Sequence, residues 1–139
     1  MDIIIKAKSY CENNKYRLTE PRLNVLKAIV ESKSQISAYK ILEILSYDKQ
    51  IKPPTIYRAI DFWIEHKFIH KIESQNKYIA CCFKHSHDGS IMIICENCGR
   101  TDETCLDNNI STKNIILTKE FKVKKWNMEI HGLCKKCNN

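Results

Sequence analysis

The sequence lacks any apolar run long enough to cross a bilayer. Its first residues, MDIIIKAKSY, place a lysine directly after three isoleucines, whereas a secretory signal peptide needs a longer apolar stretch. Internal repeats and low-complexity tracts are also absent. These absences lead us to expect a soluble cytoplasmic protein with no membrane partner, in a compartment that keeps thiols reduced.

What the sequence does contain is eight cysteines, four of which form two Cys-x-x-Cys pairs, Cys95 with Cys98 and Cys134 with Cys137. Two thiolates separated by two residues can bind one ion from a tight turn. Two such pairs therefore supply the tetrahedral four-sulfur shell that zinc prefers. Two disulfides, or two separate redox motifs, are the alternatives, and a reducing compartment disfavours the disulfides. Residues 99–133 exceed the usual spacing within one zinc ribbon, so we expect the ion to tie the second pair back onto the first.

The chain offers little for catalysis. A catalytic zinc keeps an open position for water, whereas a four-cysteine shell is closed. No H-x-E motif of the kind that zinc deaminases use accompanies either cysteine pair. A zinc hydrolase or deaminase with Glu103 as general base is therefore a remote alternative. We predict no enzymatic activity and no small-molecule substrate.

The charge balance favours a polyanionic partner. The net charge is +7 and the isoelectric point is near 9.0. Most of the basic excess lies in residues 1–80, away from the two cysteine pairs. A mixed surface would explain the same excess, so charge by itself does not identify nucleic acid as the partner.

Residues 1–82 predict a helical DNA-binding domain. Four helices are expected: residues 2–13, a helix capped by Thr19, a helix capped by Ser37, and a helix from Pro53 to about Lys67. In the fourth helix, apolar residues recur at helical spacing from Ile56 to Ile64, which leaves Arg58 and Phe62 on the other faces. The segments FIHKIES and NKYIACC then change to a period of two and predict a hairpin.

Packed helices followed by a hairpin are typical of a winged helix-turn-helix, which places its last helix in the major groove of DNA. In that helix Tyr57 and Arg58 are the best candidates to reach base edges, and Thr55 lies near the phosphate-binding amino terminus. An ordinary small helical domain with a surface hairpin is the alternative.

The rest of the chain predicts a hinge at residues 83–90 and a small α/β domain at residues 91–139. This domain would contain a buried strand in IMIICENC, a helix in CLDNNISTKNIILTKE and a long strand in FKVKKWNMEIHGLC. Such a small sheet needs a partner to cover it, which favours a dimer. The predicted fold class is α+β: an amino-terminal winged helix-turn-helix domain followed by a small α/β dimerisation domain with a structural zinc site.

A second set of potential metal ligands lies outside the cysteine pairs. His70 and Cys81 lie on opposite strands of the predicted hairpin, His87 or its reserve His85 lies in the hinge, and Glu103 follows the first cysteine pair. Because these residues come from both domains, an ion bound to them would select one relative domain orientation, as a switch requires. The thiolate favours Zn²⁺ over Fe²⁺ or Mn²⁺. Each residue alone has an ordinary alternative as a packed thiol, a strand histidine or a solvated acid.

Three other cysteines, Cys11, Cys82 and Cys105, are expected to be packed or free thiols rather than ligands. His66 and His131 are expected to be ordinary helix-end and strand residues.

Several segments together resemble the ferric uptake regulator family, and within it most closely the zinc uptake regulator branch. They are RLTEPRLNVLKAI, ISAY, KPPTIYRAIDFW, FIHKIESQNKYIAC, ICENCG and IHGLCKKC, which span nearly the whole chain. The resemblance implies a homodimeric zinc-responsive repressor that binds double-stranded operator DNA at an inverted repeat and controls zinc uptake genes. It also implies that Tyr39 and Arg58 read operator bases, with Tyr57 beside them.

The resemblance further implies about two zinc ions per chain, a structural ion at the four paired cysteines and a regulatory ion at His70, Cys81, the HSH segment and Glu103. The segment HSHDGSIMIIC departs from the histidine-rich stretch of iron-sensing members, and Cys82 could compete with Cys81 or respond to oxidants. The remaining alternatives are an iron- or redox-responsive regulator of the same family and a zinc-stabilised interaction module.

Overall fold

A computed structural model describes residues 2–47, 49–83, 89–104, 122, 124 and 126–139 of the 139-residue chain. The chain divides into two compact units, Met1–Cys81 and Cys82–Asn139. Among the described residues, no helix combines the length and apolar character that crossing a membrane requires.

The first unit is a winged helix-turn-helix, as predicted. Its elements are α1 (Ile3–Asn13), α2 (Glu20–Glu31), α3 (Ala38–Leu45), α4 (Pro53–Glu65), β1 (Ile69–Ile72) and β2 (Lys77–Ala80). The strands β1 and β2 pair antiparallel, with Ile69 opposite Ala80, and form the wing.

Local chemistry at the helix ends explains where the helices begin. The Thr19 hydroxyl oxygen accepts a hydrogen bond from the backbone N–H of Arg22 at 3.4 Å, and the Ser37 hydroxyl accepts one from Lys40 at 3.1 Å. Both side chains therefore satisfy N–H groups that the first helical turn leaves without a partner. Helix α4 begins at Pro53, whose ring suits the first turn because that turn needs no donor there.

The core of this unit lies between α2, α3, α4 and the wing. Its largest fully buried side chains include Leu26, Ile29, Ile41, Ile56, Ile60, Trp63, Ile69 and Ile72. The Trp63 indole N–H is also satisfied, because it donates to the backbone carbonyl of Arg22 at 2.7 Å. Apolar burial and one partly buried hydrogen bond thus fix α4 against α2.

The expected outer position of Phe62 is wrong. Its side chain is only 8 % exposed. The Arg22 guanidinium lies 3.9 Å from the ring centroid, and Tyr16 meets the ring edge-on at 5.7 Å between centroids. The buried face of α4 is therefore wider than the spacing of its apolar residues predicts, because the turn before α2 covers an additional face.

The wing is attached to the helices through a bridge that the sequence did not predict. Ile36, in the segment between α2 and α3, exchanges both backbone hydrogen bonds with Tyr78 of β2, at 2.9 and 2.8 Å. The wing is therefore tied to the helical part of the unit by backbone hydrogen bonds and is not a free surface hairpin.

The second unit contains a three-stranded sheet. Its strands are β3 (Gly89–Cys95), β4 (Thr101–Thr104) and β5 (Trp126–Gly132), in the order β4-β3-β5. Strand β3 is antiparallel to β4 and parallel to β5. At Gly89, any Cβ would overlap the indole of Trp126, so only glycine permits this close approach of β5 to β3.

Two of the predicted strands are present as β3 and β5, whereas β4 was not predicted from the sequence. The segment TDET is polar and short, so no alternating pattern marks it as a strand. The predicted helix in CLDNNISTKNIILTKE, residues 105–120, lies wholly outside the described residues. Residues 121, 123 and 125 of the predicted long strand lie outside them as well.

Candidate functional site

The structure brings the four paired cysteines together. The sulfur atoms of Cys95, Cys98, Cys134 and Cys137 all lie within 4.8 Å of one another. The Cys98 and Cys134 sulfurs are 3.8 Å apart, which is the edge length of about 3.8 Å expected for a tetrahedron with zinc–sulfur bonds of ~2.3 Å. A disulfide needs ~2.05 Å between its sulfurs, so this distance fits a shared metal ion and not a bond between these two.

The parallel pairing of β3 and β5 explains why two distant pairs meet. Cys95 ends β3 directly opposite Gly132, the last residue of β5. The backbone N–H of Glu96 then donates to the Gly132 carbonyl at 2.8 Å, which keeps the two chains together beyond the sheet. Both cysteine turns therefore leave the sheet at the same end.

Hydrogen bonds prepare these sulfurs for a cation. Backbone N–H groups of Cys98 and Cys134 lower the pKa of Cys95 to about 6, and the Cys134 N–H lies 3.3 Å from the Cys95 sulfur. The pKa of Cys134 is also lowered, chiefly by the backbone N–H of Cys137. For Cys137, the Asn97 amide lowers the pKa, but the neighbouring thiols and desolvation raise it to about 11. Ionisation of one sulfur thus opposes that of the next, and a bound divalent cation removes this conflict because it needs all four as thiolates.

Within the first unit, His70 and Cys81 form a second pair of potential ligands. A ring nitrogen of His70 and the Cys81 sulfur lie within 4.8 Å of each other. His70 of β1 faces Ile79 of β2, and Cys81 lies two residues beyond Ile79, so both side chains emerge on the same face. The backbone N–H of Cys81 donates to the Phe68 carbonyl at 2.9 Å, which continues the strand ladder to this residue.

Within the second unit, Glu103 lies on β4 opposite Met92 of β3. One of its carboxylate oxygens accepts a hydrogen bond from the backbone N–H of Cys82 at 2.8 Å. Cys82 is the first residue of this unit and follows Cys81 in the chain. The remaining predicted ligands, His87 and its reserve His85, lie outside the described residues.

The predicted DNA-contacting residues are accessible. Tyr39 in the first turn of α3 is 77 % exposed, and Tyr57 on α4 is 49 % exposed. Arg58 is exposed and Thr55 is partly exposed, both in the first half of α4. An exposed arginine near a helix amino terminus can donate two parallel hydrogen bonds to guanine, and an adjacent hydroxyl can bind a phosphate.

One neighbour of the cysteines was missed by sequence reasoning. The side-chain amide of Asn97 donates to the Cys137 sulfur at 3.3 Å. Its position inside the CENC turn was the only available signal, and that position does not reveal which sulfur the amide reaches.

The comparisons with known proteins agree with this architecture. Residues 13–131 match the model of the Ferric uptake regulator family. The zinc uptake regulation protein of Escherichia coli (strain K12) is 37 % identical over 139 residues, covering 98 % of this chain and 81 % of the relative. The ferric uptake regulation protein of Bacillus subtilis (strain 168) is 25 % identical, covering 97 % of this chain and 94 % of that protein.

Solved structures lead to the same group. A zinc uptake regulator complexed with zinc and DNA has a TM-score of 0.85 and 37 % identity, covering 97 % of this chain and 92 % of that one. Holo XcZur has a TM-score of 0.80 and 30 % identity, covering 96 % of this chain and 95 % of that one. With a family model matching most of the chain and a relative of this identity, the protein belongs to the ferric uptake regulator family.

Proposed function

We propose that this chain is a zinc-responsive transcriptional repressor, which binds operator DNA as a homodimer when its regulatory metal site is filled and controls zinc uptake genes. The observation that carries this function is that one chain combines two features. It has a winged helix whose exposed α4 is the proposed reading helix, the helix that contacts bases, and it has a preformed four-sulfur shell. The similar structure that contains both zinc and DNA supports the combination.

The four-sulfur shell of Cys95, Cys98, Cys134 and Cys137 would hold a structural zinc ion. When bound, this ion supplies no catalysis, because four sulfurs leave no position for water or substrate. It stabilises the second unit by holding the turn after β3 to the turn after β5. A saturated site of this kind is a scaffold rather than a sensor.

A regulatory zinc would be held by His70, Cys81, Glu103 and His87, with His85 in reserve. The imidazole and thiol of His70 and Cys81 already share one face of the wing. Glu103 of the second unit is assigned to the same set because the family resemblance implies it. With the structural ion, this makes about two zinc ions per chain.

Zinc would act through domain orientation. The proposed ligands come from both units and from residues 83–90, whose role as a hinge between domains 1–82 and 91–139 stays a proposal. An ion that binds one orientation better than the others shifts the population toward it by mass action. In a homodimer, that orientation sets the spacing between the two reading helices and thus the match to an inverted repeat.

At the DNA, Arg58 and Tyr57 of α4 would read base edges and Tyr39 of α3 would assist, while Thr55 contacts a phosphate. The matched relatives are regulators, and we assign no enzymatic activity to this chain, because the four-sulfur shell is closed. We place the protein in the cytoplasm, where operator DNA and reduced thiols are both available.

The test is operator binding at graded free zinc. Fluorescence anisotropy with an inverted-repeat operator at fixed salt is the suitable assay, because phosphate contacts make affinity strongly salt-dependent. We expect filling of the second site to raise operator affinity by about 5–150-fold, the usual range for coupling between two sites. Equal affinity with one and with two zinc ions per chain would reject the switch.

The same design separates the alternatives. Scrambled DNA is the control for base recognition. If the protein fails to bind the operator specifically at every zinc concentration, an interaction module is favoured. Transcript changes under zinc starvation and under iron starvation distinguish a zinc regulator from an iron regulator. Metal content after purification does not, because zinc outcompetes iron at most such sites.

A further inference from the structure

We propose that Asn97 is a positioning residue of the structural metal site, and that its side-chain amide holds the Cys137 thiolate in place and slows release of the ion. The inference rests on the proposed zinc at the four-sulfur shell. It assigns a role in that site to a residue that is not itself a ligand.

The first observation is that this hydrogen bond joins the two cysteine pairs. Asn97 lies between Cys95 and Cys98 in the first turn, whereas Cys137 ends the second turn, 40 residues away in the chain. The Asn97 amide nitrogen lies 3.3 Å from the Cys137 sulfur, within the range for an N–H···S hydrogen bond. The first turn thus binds the second turn directly, in addition to the metal that both would share.

The second observation is the kind of donor that the Cys95 and Cys137 sulfurs receive. The Cys95 sulfur accepts from the backbone N–H of Cys134 at 3.3 Å. Around Cys137, the backbone N–H groups of Cys137 and Asn138 both donate to the Cys134 carbonyl, each at 2.9 Å. Both local donors are directed at atoms of Cys134, and a side chain from the other turn donates to the Cys137 sulfur.

The physical consequence follows from the charge of the shell. Four thiolates and one Zn²⁺ carry a net charge of −2, so each N–H donor that points at a sulfur withdraws charge and stabilises the metal-bound form. Outer hydrogen-bond partners of this kind typically change metal affinity by about 10–100-fold. A donor from another turn also restricts the motion of Cys137, so that the sulfur stays near the ion after a transient bond break.

Asn97 can be replaced without disturbing the fold. It is exposed, and its φ lies outside the left-handed region, which in this turn is occupied by Gly99. Alanine at this position therefore introduces neither a cavity in the core nor backbone strain.

The experiment measures zinc transfer from the zinc-loaded full-length protein to a chromophoric chelator. We expect Asn97→Ala to release the structural zinc at least about 10-fold faster than the wild-type protein. Asn97→Asp keeps the shape but replaces the donor by an anion, and should release zinc faster still. Asn97→Gln, which retains the amide, should restore slow release, which a purely structural effect of the turn would not produce.

The matched control is Asn138→Ala, which removes an exposed amide beside the second cysteine pair. It should leave the release rate unchanged. Timed alkylation followed by peptide mass spectrometry adds an independent measurement, since Cys137 should be the first of the four cysteines to be labelled in Asn97→Ala.

The outcomes separate the two ideas. If the wild-type protein holds structural zinc and Asn97→Ala loads fully but releases it at the wild-type rate, the role of Asn97 is overturned and the proposed function stands. If Cys134→Ala leaves the zinc content of the protein unchanged, the shell holds no structural zinc, and the role of Asn97 fails together with the proposed structural ion. The repressor function is then decided separately, by operator binding at graded zinc.

Discussion

At the residue scale, Arg58 and Lys52 offer two kinds of cationic side chain for the proposed contact with DNA. Arg58 is exposed on the first half of α4, and Lys52 is the exposed N-cap of the same helix. A guanidinium can recognise the two acceptors of guanine in the major groove, whereas an ammonium near a helix terminus offers a point charge to phosphate. The two residues should therefore affect binding in different ways.

We predict that Arg58→Ala lowers discrimination at one base pair of the operator by about 1–3 kcal/mol. Competition binding with operators changed at single positions measures this loss. Lys52→Ala is the matched control. It should weaken binding to all sequences alike. It should also reduce the slope of log affinity against log salt concentration by about one, as expected for the loss of one phosphate contact. An unchanged sequence preference in Arg58→Ala would remove this residue from base reading.

Residue chemistry also distinguishes the paired cysteines from the other thiols. Cys95 has a pKa lowered to about 6 by backbone donors from Cys98 and Cys134. In contrast, burial raises the pKa of Cys11 in α1. The first thiol is prepared to bind a cation at neutral pH, and the second behaves as a small apolar side chain of the core.

At the element scale, three helices of the winged unit are followed by a lysine in the left-handed conformation, where glycine is the usual residue. The lysines that follow α1, α2 and α4 have positive φ values, 58° at Lys15, 55° at Lys33 and 64° at Lys67. After α4, the backbone N–H of Phe68 donates to the Trp63 carbonyl at 2.9 Å and that of Lys67 to Ile64 at 3.0 Å, which is a Schellman motif. Glycine is the residue that adopts this conformation without a steric penalty.

Lys67→Gly should therefore stabilise the protein, by about 0.5–1 kcal/mol, because it relieves the left-handed strain at the end of α4. Equilibrium urea unfolding followed by tryptophan fluorescence measures the change. The control is Lys8→Gly at an exposed position inside α1, which should cost about 1 kcal/mol. A destabilised Lys67→Gly variant would contradict this interpretation of the helix end.

The elements differ in how far sequence predicts them. The starts of α2 and α3 were predictable because Thr19 and Ser37 are helix caps, and β1 and β2 because their apolar residues alternate. Strand β4 was not predictable, since TDET is polar and becomes a strand only by pairing with β3. The burial of Phe62 was missed for a related reason: Tyr16 and Arg22, which cover it, lie in a different part of the sequence.

At the scale of the whole molecule, the two proposed metal sites should be separable by substitution. We predict that Cys81→Ala keeps the structural zinc and unfolds near the wild-type temperature, but that zinc no longer raises its operator affinity. Cys134→Ala should lose the structural zinc and with it a binding free energy on the order of 10 kcal/mol, so that the second unit unfolds. Zinc analysis, thermal unfolding and operator binding measure the three effects.

Cys11→Ala is the control, since Cys11 is a buried thiol of α1 outside both proposed sites. It should change neither the zinc content nor the zinc dependence of operator binding. Retention of zinc-dependent binding in Cys81→Ala would exclude this thiol from the regulatory site.

The sequence by itself determined the parts that depend on local chemistry. These are the helix caps, the exposed Arg58 on the amphipathic α4, and the two cysteine pairs, because a Cys-x-x-Cys turn brings two sulfurs within reach of one ion. Only the tertiary structure decided that the two pairs meet. Their meeting depends on the parallel register of β3 and β5, which places Cys95 opposite Gly132. It also decided that the Asn97 amide reaches Cys137, because contacts between distant turns arise from packing and leave no periodic signal in the chain.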